Sequence, residues 1–250
     1  MKKNFRLVVQ YDGTEYYGFS RQPEVRTIQG ELERSLKELT GEEVVVYGSG
    51  RTDAGVHALG QVVNFRSTTR IPAEKMPEAL NAFLPKDIQA LKAMEVEDGF
   101  HARKSAKQKR YVYTVFNGAR VPYNLVRFVY HEKRPLSLAE MKETMASLVG
   151  EHDFWSFTAR ISKEENTVRK IFEAEIKERK FKGFGRTFEF AFVGSGFLYR
   201  MVRRLSAAVV GAGLGRMPVS DARKALKVKD RRLVPGTLPP QGLCLVDVFY

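Results

Sequence analysis

Phe5-Arg-Leu-Val-Val-Gln-Tyr-Asp-Gly13 near the start of the chain and Arg110-Tyr-Val-Tyr-Thr-Val-Phe-Asn-Gly118 near its middle match in polarity and end in equivalent turn signals. The first is a near-continuous apolar run and predicts a buried strand; the second alternates Tyr111, Tyr113 and Val115 with Val112 and Thr114 and predicts another. An amphipathic helix is expected after each. In the first, Ile28, Leu32, Leu36 and Leu39 recur at helical spacing behind Thr27 as N-cap; in the second, Leu138, Met141, Met145 and Leu148 share one face of residues 137–149. Two strands follow each helix, 44–47 with 61–65 and 167–178 with 186–193. A second helix then closes each half, from Pro72 or Ala73 to Phe83 and within 197–213, and residues 88–96 form a further strand. This order predicts an α+β fold of two similar halves with antiparallel sheets, RRM/ferredoxin-like βαββ units joined across a central cleft. The expected division is an N-terminal α+β domain over 1–105 and a C-terminal α+β domain over 106–250.

Between the two expected strands of the first half lies Gly48-Ser-Gly-Arg-Thr-Asp-Ala-Gly-Val-His-Ala58, directly after the β-branched run Val44, Val45 and Val46. It reads as a loop leaving a strand. Its glycines permit positive φ or close backbone approach, and Asp53 stands in the middle with Arg51 two residues before it. A carboxylate on a loop with rigid flanks can present a nucleophile or base; it can equally close an Asx-turn on its own backbone. The glycine spacing does not continue as a dinucleotide-binding fingerprint.

The 250-residue chain is long enough for one large or two small domains, and 42 Lys and Arg against 29 Asp and Glu leave a formal charge of +13. Such a balance points to a polyanionic partner, nucleic acid or an anionic membrane surface. No run reaches the roughly 18 apolar residues of a membrane span, and charge returns after Met1-Lys-Lys-Asn-Phe-Arg6 before any signal-peptide core develops. Cys244 alone forms neither an internal disulfide nor a multi-cysteine metal site. His57, His101, His131 and His152 stand far apart in sequence. The expectation is a cytoplasmic, metal-free protein.

Cations cluster in two further places. His101-Ala-Arg-Lys-Ser-Ala-Lys-Gln-Lys-Arg-Tyr111 holds Arg103, Lys104, Lys107, Lys109 and Arg110 without an acid, a solvated loop or a backbone-phosphate contact. In Phe197-Leu-Tyr-Arg-Met-Val-Arg-Arg-Leu205, Arg200 and Arg204 share an i, i+4 face as phosphate ligands or solvated cations. Arg203 lies nearer the apolar stripe, where a cation needs a carboxylate, and Asp53 is a candidate. An aromatic and cationic loop, with Tyr16, Tyr17, Phe19 and Arg21, precedes the first helix. The tail, Leu238-Pro-Pro-Gln-Gly-Leu-Cys-Leu245, is a rigid turn delivering a terminal strand.

The unbroken nonapeptide Gly50-Arg-Thr-Asp-Ala-Gly-Val-His-Ala58 resembles the signature of the TruA-type tRNA pseudouridine synthases. The resemblance extends over Tyr11-Asp-Gly-Thr14, Gly18-Phe19-x-x-Gln22, Lys109-Arg-Tyr-Val-Tyr113, Phe197-Leu-x-x-Met-Val-Arg203 and the Pro-Pro-x-Gly-Leu-x-Leu245 tail, essentially the whole chain. It implies that Asp53 is the catalytic residue, that Arg51 assists the flipped state, and that Tyr111 stacks on the target base and helps remove its C5 proton. It also implies that Arg203 contacts Asp53 and that Leu245 lines the base pocket. The implied activity is conversion of uridine to pseudouridine at positions 38, 39 and 40 of the tRNA anticodon stem-loop, by a homodimer and without cofactor. Arg51 and His57 are both candidates to fill the gap left by an extruded base. Arg200 stands where members of the family often carry His or Asn.

Two other readings compete. A non-catalytic RNA-binding protein with RRM-like sheets explains the charge and the strand aromatics but gives no reason for the Asp loop. A zinc deaminase needs a Cys pair beside a His-x-Glu, which one cysteine cannot supply, whereas a glycosylase would release free uracil.

Overall fold

The computed structural model describes residues 1–160 and 166–250. They form a mixed α+β protein with mostly antiparallel strands, in two compact units: Met1–Lys107 together with Cys244–Tyr250, and Gln108–Leu243.

The first unit runs β1 (Lys3–Tyr11), α1 (Ile28–Thr40), β2 (Tyr47–Gly48), β3 (His57–Ser67), α2 (Met76–Asn81) and β4 (Ile88–Val96). Its strands lie in the order β4-β1-β3, with β2 on β3, and these pairs are antiparallel. The near-continuous apolar run of β1 buries alternate residues, Phe5, Leu7, Val9 and Tyr11, with Phe5 stacked on Phe65 at 5.4 Å. Thr27 caps α1 by accepting a hydrogen bond from the Gly30 amide, and Ile28, Leu32 and Leu36 face the core. Gly41, at φ 72°, ends the helix by donating its amide to the Lys37 carbonyl.

Residues 44–46 are not a strand; pairing begins only at Tyr47. The Val46 amide donates to the Glu33 carboxylate at 3.0 Å, and Glu33, 8% exposed, also receives the Gln29 amide and the Arg21 guanidinium. A backbone donor committed to a helix side chain cannot join a ladder, so the β-branched run stays irregular despite its propensity.

The second unit contains β5 (Gln108–Asn117), β6 (Tyr130–Glu132), α3 (Leu138–Ser147), β7 (Gly150–Asp153), β8 (Val168–Phe181), β9 (Gly185–Gly194), α4 (Met201–Gly213) and α5 (Val219–Lys227). Strand order is β5-β9-β8-β7, antiparallel throughout, with β6 parallel to the end of β5. The stretch 197–200 expected to open the second helix is instead irregular at 197–198 and a turn at 199–200, and α4 starts at Met201. Every residue of α4 is buried. Its small residues are required by neighbours: a Cβ on Gly211 would stand 2.8 Å from Pro235, and one on Gly213 2.8 Å from Met141. Helix α5, unassigned from the sequence, buries Val219, Ala222 and Ala225, whose alanines give little hydrophobic periodicity.

The chain ends as β10 (Leu243–Phe249), which pairs in parallel with β3, Cys244 opposite His57 and Leu245 opposite Ala58. The Lys107 amide donates to the Phe249 carbonyl. The sequence reading carries the second domain through to Tyr250, whereas these last residues complete the first unit. A parallel pairing with a strand nearly two hundred residues earlier leaves no local trace.

Candidate active site

The Asp53 loop hangs between β2 and β3 and is fastened at both ends by groups that sequence reading passed over. Ser49 donates its amide to the Val62 carbonyl at 2.8 Å. Gln61, fully buried on β3, takes both backbone groups of Gly50, accepting from its amide at 3.0 Å and donating to its carbonyl at 2.7 Å. The same Gln61 amide donates to the Tyr11 hydroxyl at 3.3 Å, and that hydroxyl lies 2.8 Å from the Thr52 hydroxyl. Burial pushes the Tyr11 phenol above its ordinary pKa, so it remains a neutral hydrogen-bonding group.

The segment after β1 clasps the other side of the loop, backbone to backbone. Phe19 donates to the Thr52 carbonyl at 3.0 Å, Gly55 donates to the Tyr16 carbonyl at 3.2 Å, and Val56 closes a turn onto the Asp53 carbonyl at 3.1 Å. Glycine is dictated at two points of this clasp. Gly18, at φ 95°, would put a Cβ 2.8 Å from the Thr52 carbonyl, and Gly13 would put one 2.0 Å from the Val56 carbonyl. Tyr16 is anchored in turn, donating to Asp87 at 2.5 Å beneath the Arg26 guanidinium, 4.4 Å from its ring. Asp53 is therefore half-buried on a loop with little freedom, while Arg51 beside it is exposed.

His57, expected to face RNA, sits instead inside the first unit. It is 5% exposed, and its Nδ1 lies 3.0 Å from the Gly13 amide, which donates to it, and 3.2 Å from Asp12. It braces the turn after β1 against the start of β3. Leu245 is fully buried one register position along β10 from the residue facing His57. The fold thus brings Leu245 into the same unit as the Asp53 loop, although 192 residues separate them in sequence.

In the second unit Tyr111, on β5 and 8% exposed, makes an edge contact with Phe197 at 5.2 Å. Tyr113, two residues on, is fully buried and donates to the Pro239 carbonyl at 2.8 Å, its pKa raised by burial. Arg203, 8% exposed, donates from Nε to the Leu238 carbonyl at 2.8 Å. The Pro239-Pro240 turn is thereby tied to β5 and α4 together, and Gly242 is glycine because a Cβ would stand 2.7 Å from the Tyr113 ring. Leu238 and Tyr113 were given no such role by sequence reading.

Arg204, read as a phosphate ligand or solvated cation, is 8% exposed and donates to the Ser156 and Arg231 carbonyls at 3.2 and 3.3 Å. Burial, and secondarily Arg231, lower its pKa; a side chain held this way has a packing role. Arg200 is exposed, adopts a left-handed backbone at φ 58° before α4, and stacks on Tyr199 at 4.9 Å. Arg103, Lys104 and Lys107 are exposed, and Lys109 and Arg110 are half-buried at the start of β5. Among the described residues no group of three or more His, Cys, Asp or Glu side chains could hold a metal, and no helix is long and apolar enough to cross a membrane.

Comparison with known proteins gives the family. The model of a family described as tRNA pseudouridine synthase matches residues 7–103 and 144–250. The tRNA pseudouridine synthase A of Thermoanaerobacter sp. (strain X514) is 41% identical over 248 residues, covering 99% of this chain and all of that protein. That of Caldicellulosiruptor saccharolyticus is 42% identical over 253 residues, with 99% and 100% covered. That of Lacticaseibacillus casei (strain BL23) is 43% identical over 249 residues, with 99% of both covered. Similarity of this degree from end to end, running through the Asp53 loop and both of its fastenings, means that the chain belongs to the tRNA pseudouridine synthase family.

Proposed function

We propose that this protein isomerises uridine to pseudouridine in tRNA, at positions 38, 39 and 40 of the anticodon stem-loop, with Asp53 as the catalytic residue. The observation that carries the reading is the single half-buried carboxylate on a loop whose backbone is fastened before and after it. Position matters because effective molarity depends on a reacting group being held in place.

The reaction breaks the bond between ribose C1′ and uracil N1, turns the base, and joins C1′ to C5. C5 gives up a proton and N1 gains one, so no electrons are exchanged and no cofactor is called for. A carboxylate can start this by attack at C1′, by attack at uracil C6, or by removing the C2′ proton. The target base is first extruded, at about a few kcal/mol. In this reading Arg51, exposed beside the loop, supports the flipped state, and Tyr111 stacks on the base and helps remove the C5 proton. Leu245 lines the base pocket. Arg203 is the cationic partner of Asp53, its Nε bond to Leu238 fixing the side chain's direction. Arg103, Lys104, Lys107, Lys109, Arg110 and Arg200 serve the phosphate backbone, and their contacts make binding salt-dependent. A homodimer acting in the cytoplasm completes the proposal.

The reading of two RRM/ferredoxin-like βαββ halves is supported by the first unit's β4-β1-β3-β2 order and by the second unit's β5-β9-β8 order around α3 and α4.

The test is pseudouridine mapping of tRNA incubated with this protein alone, beside Asp53→Ala and Arg203→Ala. Product at 38–40 with the wild type, and none with Asp53→Ala, is expected; Arg203→Ala should lose turnover while largely keeping tRNA. Undiminished product from Asp53→Ala defeats the assignment. Free uracil would identify a glycosylase, and bound but unmodified tRNA a non-catalytic binder.

A further inference from the structure

Beyond the residues given roles above, the first unit carries an aromatic pair at the root of the Asp53 loop, Tyr47 exposed and His101 half-buried. Tyr47, the first residue of β2, is 47% exposed, and its ring centroid lies 5.0 Å from that of His101, tilted by 44°. Nearly half of Tyr47 is left uncovered, outside the buried core.

Both sides of the pair are rigidly mounted. Tyr47 is held by its register with Asn64 on β3. Asn64, 4% exposed, accepts the Ala102 amide at 2.8 Å, and its own amide donates to Asn4 at 3.1 Å. Asn4, 1% exposed, donates to the Glu97 and Phe100 carbonyls at 3.0 Å each. Tyr250 donates its hydroxyl to the Ala102 carbonyl at 2.8 Å. The turn that follows is closed locally: Ser105 donates to the His101 carbonyl at 2.9 Å, and Arg103 donates its amide to His101 Nδ1 at 3.1 Å. Two buried asparagines thus nail an otherwise exposed basic loop to the sheet. Arg103 and Lys104, both exposed, follow His101 by two and three residues in the chain, while the upstream acid Asp98 lies 3.5 Å from Arg66.

We propose that Tyr47 and His101 form a stacking platform for an unpaired base of the tRNA substrate, with Arg103 and Lys104 contacting the flanking phosphates. A π-face beside cations suits single-stranded RNA, and rigid mounting removes the ordering cost of binding. The position limits which base it takes. Six residues separate Tyr47 from Asp53, which at full extension is about 20 Å, or about six stacked nucleotides. The base on the platform therefore belongs to the same stem-loop as the target uridine.

The proposal rests on tRNA being the substrate, and its test reads contact and affinity separately from turnover. tRNA carrying 4-thiouridine is bound to the full-length protein, irradiated, and the cross-linked peptide identified by mass spectrometry. In parallel, the tRNA Kd is measured for Tyr47→Ala, Tyr47→Phe, Tyr47→Trp and Arg103→Ala/Lys104→Ala, with circular dichroism as the control for folding. The expected results are a cross-link in the peptide containing Tyr47 and binding about ten-fold or more weaker for Tyr47→Ala, the size of one lost base stack. Tyr47→Phe and Tyr47→Trp should restore it, and the double variant should flatten the salt dependence. Unchanged affinity for a folded Tyr47→Ala, an affinity that falls equally for Phe, Trp and Ala, or cross-links only elsewhere would overturn it. Wild-type protein that cross-links at Tyr47 yet forms no pseudouridine would keep the platform and remove the catalytic reading instead.

Discussion

Replacing Gln61 by Leu separates the fastening of the Asp53 loop from its chemistry. Gln61 touches no proposed reacting atom, yet it holds the Gly50 amide and carbonyl and the Tyr11 hydroxyl, and both Gly50 and Gln61 are buried. Leucine fills nearly the same volume and offers none of these bonds. Each buried backbone group left unpaired costs about 1–3 kcal/mol, so the loss of two amounts to about 2–6 kcal/mol if the loop stays in place. If the loop lifts away to let water in, the stability cost shrinks and the cost moves to turnover, because misplacing a catalytic group by about 1 Å can cost about a hundred-fold in rate. The assay is a urea titration paired with single-turnover pseudouridine formation at saturating enzyme. At least one readout should fall by the stated amount. A Gln61→Leu protein equal to wild type in both measurements would refute the claim that the loop depends on this side chain.

Two further outcomes follow from the same packing. Gly18→Ala forces a Cβ against the Thr52 carbonyl at a positive φ, which costs about 1–2 kcal/mol in conformation alone, and should cut turnover at least about ten-fold with a lowered melting temperature; a fully active Gly18→Ala protein would show that the clasp is dispensable. On the acid side, the Glu132 carboxylate, 4% exposed, accepts from Arg134 Nε at 2.8 Å and Nη2 at 2.6 Å, which holds its pKa below the ordinary value of 4.5. A depressed carboxylate adds stability that is present above that value and is lost as pH falls through the lower, folded one. Arg134→Ala should therefore begin to unfold at a higher pH than wild type when followed by circular dichroism, and coincident acid transitions would contradict the pairing.

The elements that were legible in the sequence are those whose signal is local. Strands β1, β4 and β5 and helices α1 and α3 fall close to where apolar runs, alternation, helical spacing and the cap Thr27 put them. The motif around Asp53 was visible for the same reason, since its nine residues are contiguous. The errors arise where a distant group intervenes. Val44–Val46 have the composition of a strand, but Glu33 takes the Val46 amide. Arg204 has the spacing of a surface cation, but α4 is buried all round and gives it carbonyls from two other segments. His57 looks like an RNA contact until the Gly13 amide is found on its imidazole.

By itself, then, the sequence determined the secondary elements with strong periodicity, the excess of positive charge and the motif that singles out the Asp53 carboxylate, because each is written in neighbouring residues. Only the tertiary structure decided what holds that carboxylate: Gln61 reaching Gly50 across 11 residues, Tyr11 reaching Thr52 across 41, and β10 returning to β3 from the far end of the chain. Buried polar groups must find partners wherever the fold provides them, and a choice made across such separations leaves no pattern along the chain.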